Sequence, residues 1–498
     1  MKKGATAVID IGSNSARLVI YEISSTYGFH LICEKKSKVR IGEGAYEKNG
    51  YLQPIGIHRA YLALSEFINT IKLYPVEKTF CVATSALRDA PNGVAFAAWI
   101  KEQLNLEITI IDGKTEAKFG AIAALNLLPI DSGITIDIGG GSSDLALIQN
   151  AQIIDTYSLN IGTVRLKELF FDKEKPLSQA VDFIKKELDK LPRHFRHQQA
   201  IGIGGTSRSL SKGIMRNTNY PLKKIHAFGY KVKEHMEYFH TIAVAPKTTL
   251  SYLNISKARF DTIREGALIW KEILKHIGAK KVMTSGVGVR EGVFLHHFLS
   301  HPETRFPTDI NPSVVSILDR FGTAHANTSQ RKANMIRLFR VFEEQKKLNN
   351  KYLSTLLYAT ELTPIGYTFN IYHSYQHAFY VAMQELNYGV THKEIILTAM
   401  LLRFGGKEIY NPEIYETYQS ILPKASDLEL LSFIFTILTT LHENSSLEHF
   451  DFKLEKNRLL IEAEGSLYLA QEKLNEIKRP EKLKLKIIDK QQIPAYQF

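Results

Sequence analysis

The sequence predicts an α/β protein of two similar halves, continued by a mostly helical region, and three observations carry that prediction. The first is an internal near-repeat: "AVIDIGSNSARLVI" from Ala7 and "GITIDIGGGSSDLALI" from Gly133. The second is an alternation of strand-like and helix-like patterns as far as Phe298. The third is the loss of that alternation beyond about residue 305. Each copy of the repeat reads as an apolar strand ending in an acid, a small-residue hairpin and a second strand. Asp10 answers Asp137, Gly12 answers Gly139, and Ser15 answers Ser142.

In chain order, a hairpin spans Ala5 to Ile23 and a further strand Phe29 to Lys38. A helix follows from about Ile57 to Leu73. The segment "KTFCVATSALRDAPN" is a short strand opening into a loop over Thr84 to Asn92, followed by a helix from Gly93 to Leu104, the strand "LEITIID" and a helix from about Thr115 to Leu127. The second half begins with its own hairpin, then a helix near Val164 to Phe171 and the amphipathic helix Leu177 to Leu191. The strand "QAIGIGGT", the strand and Gly turn "KVMTSGVGVREG" and a helix from Val293 to Phe298 complete it. "SHPETRFPTDINP", rich in Pro and polar residues, is the best linker. Helical patterns run from there to about Leu441, and the alternating runs "NRLLIEAE" and "KLKLKIID" close the chain. The expected domains are 1–122, 123–305 and 306–498.

With 498 residues and 44% hydrophobic content, about three domains with real cores are expected. The two cysteines, Cys33 and Cys81, have no metal-type spacing and suit a reducing compartment. The first apolar stretch is broken by Asp10 and Arg17, which argues against a signal peptide, and Leu430 to Leu441 is too short to span a bilayer. A cytoplasmic protein with no membrane partner is expected. The net charge of +12 belongs wholly to residues 1–305, because the remainder carries 22 basic and 22 acidic residues. Lys185 to Lys233 is the densest basic stretch, with twelve Lys and Arg against Glu187 and Asp189 alone. That imbalance points to a polyanion. Nucleic acid is one candidate, but no aromatic-interleaved RNA motif, zinc finger or clear helix-turn-helix accompanies it, so no specific nucleic-acid partner is expected.

The repeat itself suggests where an anion binds. Gly12, Ser13, Asn14 and Ser15 in one copy, and Gly139, Gly140, Gly141, Ser142 and Ser143 in the other, carry so little bulk that backbone N–H groups can close on a phosphate while hydroxyls add donors. One copy alone is equally an ordinary hairpin turn. Duplication with an acid retained in each favours a phosphate cradle. No Walker pattern occurs, and the segment after each Gly run is strand-like, where a dinucleotide fingerprint needs a helix.

Seven segments, "VIDIGSNSARLVI", "ATSALRDA", "GKTEAKFGA", "TIDIGGGSSDLALI", "GIGGT", "RFDTIREGA" and "TSGVGVREG", occur in this order within residues 5–295. Together they resemble the exopolyphosphatase/guanosine pentaphosphate phosphohydrolase (Ppx/GppA) family. The resemblance implies two actin-like ATPase (ribonuclease H-like) domains followed by a helical, HD-like domain. It also implies a homodimer and Mg2+-dependent release of terminal phosphate from inorganic polyphosphate or guanosine penta/tetraphosphate substrates.

Residue by residue, the resemblance makes Glu116 the general base; read alone, Glu116 is equally a first-turn helix acid favoured by the helix dipole. The family's paired acids are here Thr115 and Glu116, leaving one carboxylate. Asp137 and Asp144 become the magnesium carboxylates, with Asp10 behind them; Asp144 stands where many members have Glu, and a turn-capping role is its alternative. Arg17 and Arg88 would neutralise phosphate, with surface ion pairing as their alternative. Thr206, Arg259 and Arg290 match motif positions and would bind distal phosphates or hold the domain interface. In the helical region no His-Asp dipeptide occurs. Thr360, beside Glu361, stands where the resemblance expects the HD ligand His, and His325, His373 and His377 remain, so an inert domain is expected rather than a metal site. Two further functions stay open at this point: a non-catalytic sensor of the guanosine alarmone, and a sugar-kinase-like phosphotransferase.

Overall fold

The computed structural model describes residues 4–45, 48–299, 304–322, 328–404, 412–445, 448–480 and 482–489. In the first half, β1 (Ala5–Ile11), β2 (Ala16–Ile23) and β3 (Phe29–Ser37) form an antiparallel meander. They are followed by α1 (Pro54–Ile71), β4 (Val76–Ala83), α2 (Ser85–Arg88), α3 (Gly93–Leu104), β5 (Thr109–Ile110) and α4 (Gly113–Leu127). β4 and β5 add parallel to β1, giving the order β3-β2-β1-β4-β5.

The second half contains β6 (Gly133–Ile138), β7 (Ser143–Gln149), β8 (Gln152–Leu159), α5 (Thr163–Leu166), α6 (Leu177–Leu188), β9 (Gln199–Ile203) and α7 (Gly204–Asn217). β10 (Phe228–Lys231), α8 (Val232–Val244), α9 (Ile263–Ile277), β11 (Lys281–Thr284) and α10 (Val289–Phe298) complete it. Its sheet runs β8-β7-β6-β9-β11, the same order as the first, with β10 added antiparallel at the edge. This repeated 3-2-1-4-5 order, an antiparallel meander joined to parallel strands through helical crossovers, is the ribonuclease H-like arrangement of the actin-like fold.

β1 and β6 are central strands covered on both faces, so they read as nearly continuous apolar runs. Within each, the acid is the one residue not fully enclosed: Asp10 in β1 and Asp137 in β6. Both therefore stand at the strand ends that open toward solvent.

The final helix of each half packs against the other half's sheet. α4 is rich in small residues, and Ala117, Ala121 and Ala124 lie close against Ala146, Ile148 and Ile201 of the second sheet. α10 returns to the first sheet, where Phe294 stacks on Tyr21 at 4.4 Å and lies 5.0 Å from Phe29. The exchange ties the halves into one unit, Met1–Pro312, with Ser313–Phe498 as a second. The expected boundary after residue 122 falls within α4. The expected linker lies in part at residues 300–303, outside the described residues. α7 opens on Gly204 and Gly205, poor helix formers, which is why the sequence reads as a turn there. One helical turn, α2, lies in the expected loop over residues 84–92.

The second unit is helical from Pro312–Phe321 to Ala425–Glu443, and the two C-terminal alternating runs belong to a three-stranded sheet: Asp451–Glu455 and Lys484–Asp489 flank Arg458–Ala463. Thr360 is buried and donates its hydroxyl to Leu356 O at 2.7 Å, and Glu361 pairs with Lys332 at 2.7 Å. His377 rests on Phe369; His325 lies outside the described residues. Among the described residues no helix is long and apolar enough to cross a membrane.

Asn126 on α4 secures the segment after α10. Its Nδ2 donates to Ile122 O and Thr304 O, at 2.9 and 2.8 Å, and its Oδ1 accepts from Phe306 N at 2.9 Å. Asn126→Ala strands the buried Phe306 N–H and should lower unfolding free energy by about 1–3 kcal/mol; denaturant titration with no change would show that water replaces the amide.

Candidate functional site

Both copies of the repeat close their turns with the same bond: Gly12 N donates to Ser15 O at 3.1 Å, and Gly139 N to Ser142 O at 2.9 Å. That closure fixes the register on either side. Asp10 lies opposite Arg17, which lies opposite Lys36; Asp137 lies opposite Asp144, which lies opposite Ser158. Residues directly opposite in antiparallel strands share a face. Two cross-strand rows result, Asp–Arg–Lys and Asp–Asp–Ser.

The two loops meet. A Cβ at Gly140 would lie 2.6 Å from Ser13 Cβ, so only glycine permits the approach. Ser13 Oγ is 3.2 Å from Ser85 Oγ on α2. A cavity of about 250 Å3 opens at this junction. Of the residues expected at the site, Asp10, Gly12, Ser13, Asn14, Ser15, Arg17, Glu116, Asp137, Gly139, Gly140, Thr206, Arg259 and Arg290 line it. Arg88, Gly141, Ser142 and Asp144 are not among its lining residues, because each is engaged behind the wall. Gly141 O accepts from Arg165 Nε at 2.9 Å, and Arg165 also pairs with Asp89.

Glu116 is held from behind. Asp112 caps α4, accepting from Thr115 N at 2.7 Å, which sets Glu116 in the first turn. Arg88 Nη1 donates to Glu116 Oε2 at 3.1 Å and to Ile111 O at 3.1 Å, while its Nη2 is 3.4 Å from Ser142 Oγ. Ser142 Oγ in turn donates to Asp144 Oδ2 at 3.1 Å, and Ser158 Oγ donates to Asp144 Oδ1 at 2.5 Å. A hydrogen-bonded chain thus runs from Asp144 through Ser142 and Arg88 to Glu116.

Burial is the leading cause of the shifted acidities. It pushes the Asp10 carboxyl up to about 6, against the pull of Arg290 and Arg17. It pushes Asp144 up to about 7, against the hydrogen bond from Ser158. Burial and then the Asp144 charge raise Glu116 well above the ordinary carboxylate range, opposed by Arg88. On the cationic side, burial, Arg17 and Arg259 lower Lys36 to about 8. Arg17 and Lys36 are like charges placed directly opposite one another, an unfavourable arrangement that Asp10 opposite Arg17 and Glu34, 3.4 Å from it, offset in part.

Lys36, Lys38, Thr84, Ser85, Arg208, Ser256 and Thr262 also line the cavity and were not assigned roles from sequence. Strand alternation was the available signal for Lys36, which lies on β3 opposite Arg17, and for Lys38, two residues further on and just past the end of that strand.

Among the described residues, no three His, Cys, Asp or Glu side chains converge as a ready-made metal cluster. Asp10 lines the cavity and Asp144 does not, the reverse of their expected order. Asp137 Oδ1 packs so closely on Gly204 that a Cβ there would lie 2.1 Å away, and Gly204 has φ +76, so glycine is required on both counts. Two partly buried carboxylates, Asp10 and Asp137, facing one cavity fit a hard cation that takes its remaining ligands from water and phosphate.

The repeated ribonuclease H-like fold, with a cavity where its two turns meet, defines a protein on an actin-like scaffold. More narrowly, the chain belongs to the Ppx/GppA phosphatase family, whose sequence model matches residues 19–301. It is 30% identical over 305 residues to a bifunctional 3-dehydroquinate synthase/phosphatase of Fusobacterium nucleatum, covering 56% of this chain but only 44% of that protein. It is 26% identical to exopolyphosphatase 2 of Mycobacterium tuberculosis, covering 58% of this chain and 97% of that one. Against the guanosine-5'-triphosphate,3'-diphosphate pyrophosphatase of Pseudoalteromonas translucida it is 26% identical over 393 residues, 76% of each chain. The crystal structure of an Aquifex aeolicus Ppx/GppA family member superposes with a TM-score of 0.51 at 26% identity, covering 60% of this chain and 99% of that one.

Asp10 and Asp144, raised in the folded state to about 6 and about 7, stabilise the fold when protonated, and that contribution is lost as pH rises through those values; Glu116, also raised, acts in the same direction. In buffer free of divalent cations, the fall in unfolding temperature between pH 5 and pH 8 should be shallower for Asp144→Asn than for the unsubstituted chain. Parallel curves in calorimetry would mean that Asp144 does not titrate there.

Proposed function

We propose that this protein releases terminal phosphate from inorganic polyphosphate, guanosine pentaphosphate or both, with Glu116 as general base and Mg2+ as cofactor. One observation carries the assignment: Glu116 faces the cavity at the junction of the two loops with Oε2 held by Arg88, while Oε1 has no hydrogen bond to the described residues. An anchored carboxylate with one free oxygen and a raised proton affinity is suited to take a proton from an attacking water.

The other groups divide the remaining work. The N–H groups and hydroxyls of the two turns hold the terminal phosphate between them. Arg17 and Arg259 draw the following phosphates along the cation-lined side and offset the charge that develops on the leaving phosphate. Asp10 and Asp137 would hold the magnesium ion, which when bound neutralises phosphate oxygens. Asp144 acts from behind, fixing Ser142 and through it Arg88. The second unit is read as non-catalytic, since Thr360 and Glu361 are committed to Leu356 O and Lys332.

The relatives named exopolyphosphatase and guanosine pentaphosphate pyrophosphatase support the two substrates. Glu116→Gln should reduce phosphate release by about 10²- to 10⁴-fold while preserving the fold. Near-normal release by that variant would remove Glu116 as the base. Assaying long polyphosphate and guanosine pentaphosphate on one preparation decides between them; tight alarmone binding without turnover in magnesium would instead make the protein a sensor.

A further inference from the structure

Arg208 lines this site, and the hydrolytic scheme above gives it no role. It follows Gly204 by four residues on α7 and so lies on the same helix face, the one whose opening residues Gly204, Gly205 and Thr206 line the cavity. Its Nε is shielded from solvent and has no hydrogen-bond partner among the described residues. Arg17 and Arg290 differ: they share Glu34, at 3.4 and 3.1 Å, and Arg290 also lies 3.8 Å from Glu291, while Arg259 is already assigned to the following phosphates.

The nearby acids do not take up Arg208 either. Glu291 accepts from Gly288 N at 2.7 Å and from Tyr21 OH at 2.8 Å. Asp137 comes closest in position. A Cβ built on Gly288 would be 3.7 Å from Arg208 Nη2 and 4.0 Å from Asp137 Oδ2, so both groups border one small space, yet they form no ion pair. Burial and the Arg290 charge lower the Arg208 guanidinium to about 10. A guanidinium whose Nε is shielded and that has no partner among the described residues is unfavourable until an anion reaches it, and its fork of donors matches two oxygens of a phosphoryl group.

We infer that Arg208 is a phosphate-binding residue that contacts the terminal phosphoryl group and retains it as orthophosphate after cleavage. The anion is placed at this end of the cavity because Asp137 borders both Arg208 and the second turn, and Asp137 and Glu116 feel one another's charge. The identity of the anion rests on the phosphohydrolase reading; the binding itself is tested without turnover.

The probe is inorganic phosphate, followed by thermal unfolding and by inhibition of phosphate release. Orthophosphate should raise the unfolding temperature of the unsubstituted protein. Arg208→Met should keep or raise the ligand-free unfolding temperature, lose the phosphate-induced rise, and weaken orthophosphate inhibition by roughly tenfold to a hundredfold. Arg208→Lys, which keeps the charge but not the fork, should give an intermediate result and decides the matter if the Met variant does not fold. A Met variant with a lower ligand-free unfolding temperature and an undiminished response to orthophosphate would make Arg208 merely structural and overturn the inference. So would the absence of any orthophosphate response in the unsubstituted protein. Failure of that protein to release phosphate from either substrate would overturn the hydrolase reading, while the unfolding measurement would still judge Arg208.

Discussion

The site depends on the register of two hairpins. A single backbone bond across each turn, Gly12 to Ser15 and Gly139 to Ser142, decides which side chains face each other for the length of the adjoining strands. A slip of one residue would turn Asp10 and Asp137 to the opposite faces of their sheets. The apolar packing on both faces of β1 and β6 prevents that slip, because it would replace Ile9 or Ile136, each fully buried, with a carboxylate. Core and site are therefore specified by the same constraint.

Identical backbones then carry different charges. The first row, Asp10–Arg17–Lys36, brings two cations together at the cavity, and the second, Asp137–Asp144–Ser158, brings two acids together with a hydroxyl to stabilise one of them. Neither row is electrostatically comfortable on its own. The cationic row is offset in part by Asp10 and Glu34, and under the proposed function phosphate would relieve it further. The acidic row is relieved partly by Ser142 and Ser158, and further by protonation or by a bound cation at Asp137. Exchange of α4 and α10 between the halves keeps the rows at one junction. It does so with close Ala packing on one side and stacked aromatic rings on the other, neither of which is sensitive to the charge state of the cavity.

Much of this was legible in the sequence because it is local. The strand ends at Asp10 and Asp137, the small-residue turns and the first-turn position of Glu116 all follow from residue type and spacing within a few positions. What escaped is non-local. Nothing in the segment around Arg88 shows that its guanidinium turns away from the cavity to fix Glu116, since that requires Ile111 O and Ser142 to arrive from elsewhere. Asp144 reads as the partner of Asp137, but Ser158 on β8, a strand not read from sequence, draws it behind the wall. Arg208 was visible only as one charge in a basic stretch, because the two glycines before it conceal the helix that aims it.

The concentration of unrelieved charge explains why the surrounding structure is so firmly packed. A buried carboxylate raised toward neutrality and an unpartnered guanidinium each oppose folding of the ligand-free protein, and they can persist only where neighbouring contacts over-determine their positions. Here those contacts combine close packing with charged hydrogen bonds: Gly204 against Asp137, Ala117 and Ala121 against the second sheet, Tyr21 between Glu291 and Phe294, and Arg88 on Glu116. A scaffold so held can leave Arg208 unmatched, and under the proposed function an anion that supplies the missing charge gains stabilisation there. Substrate affinity, on that reading, is stored in the fold as electrostatic imbalance, and the geometry of the two turns suits phosphate as the group that releases it.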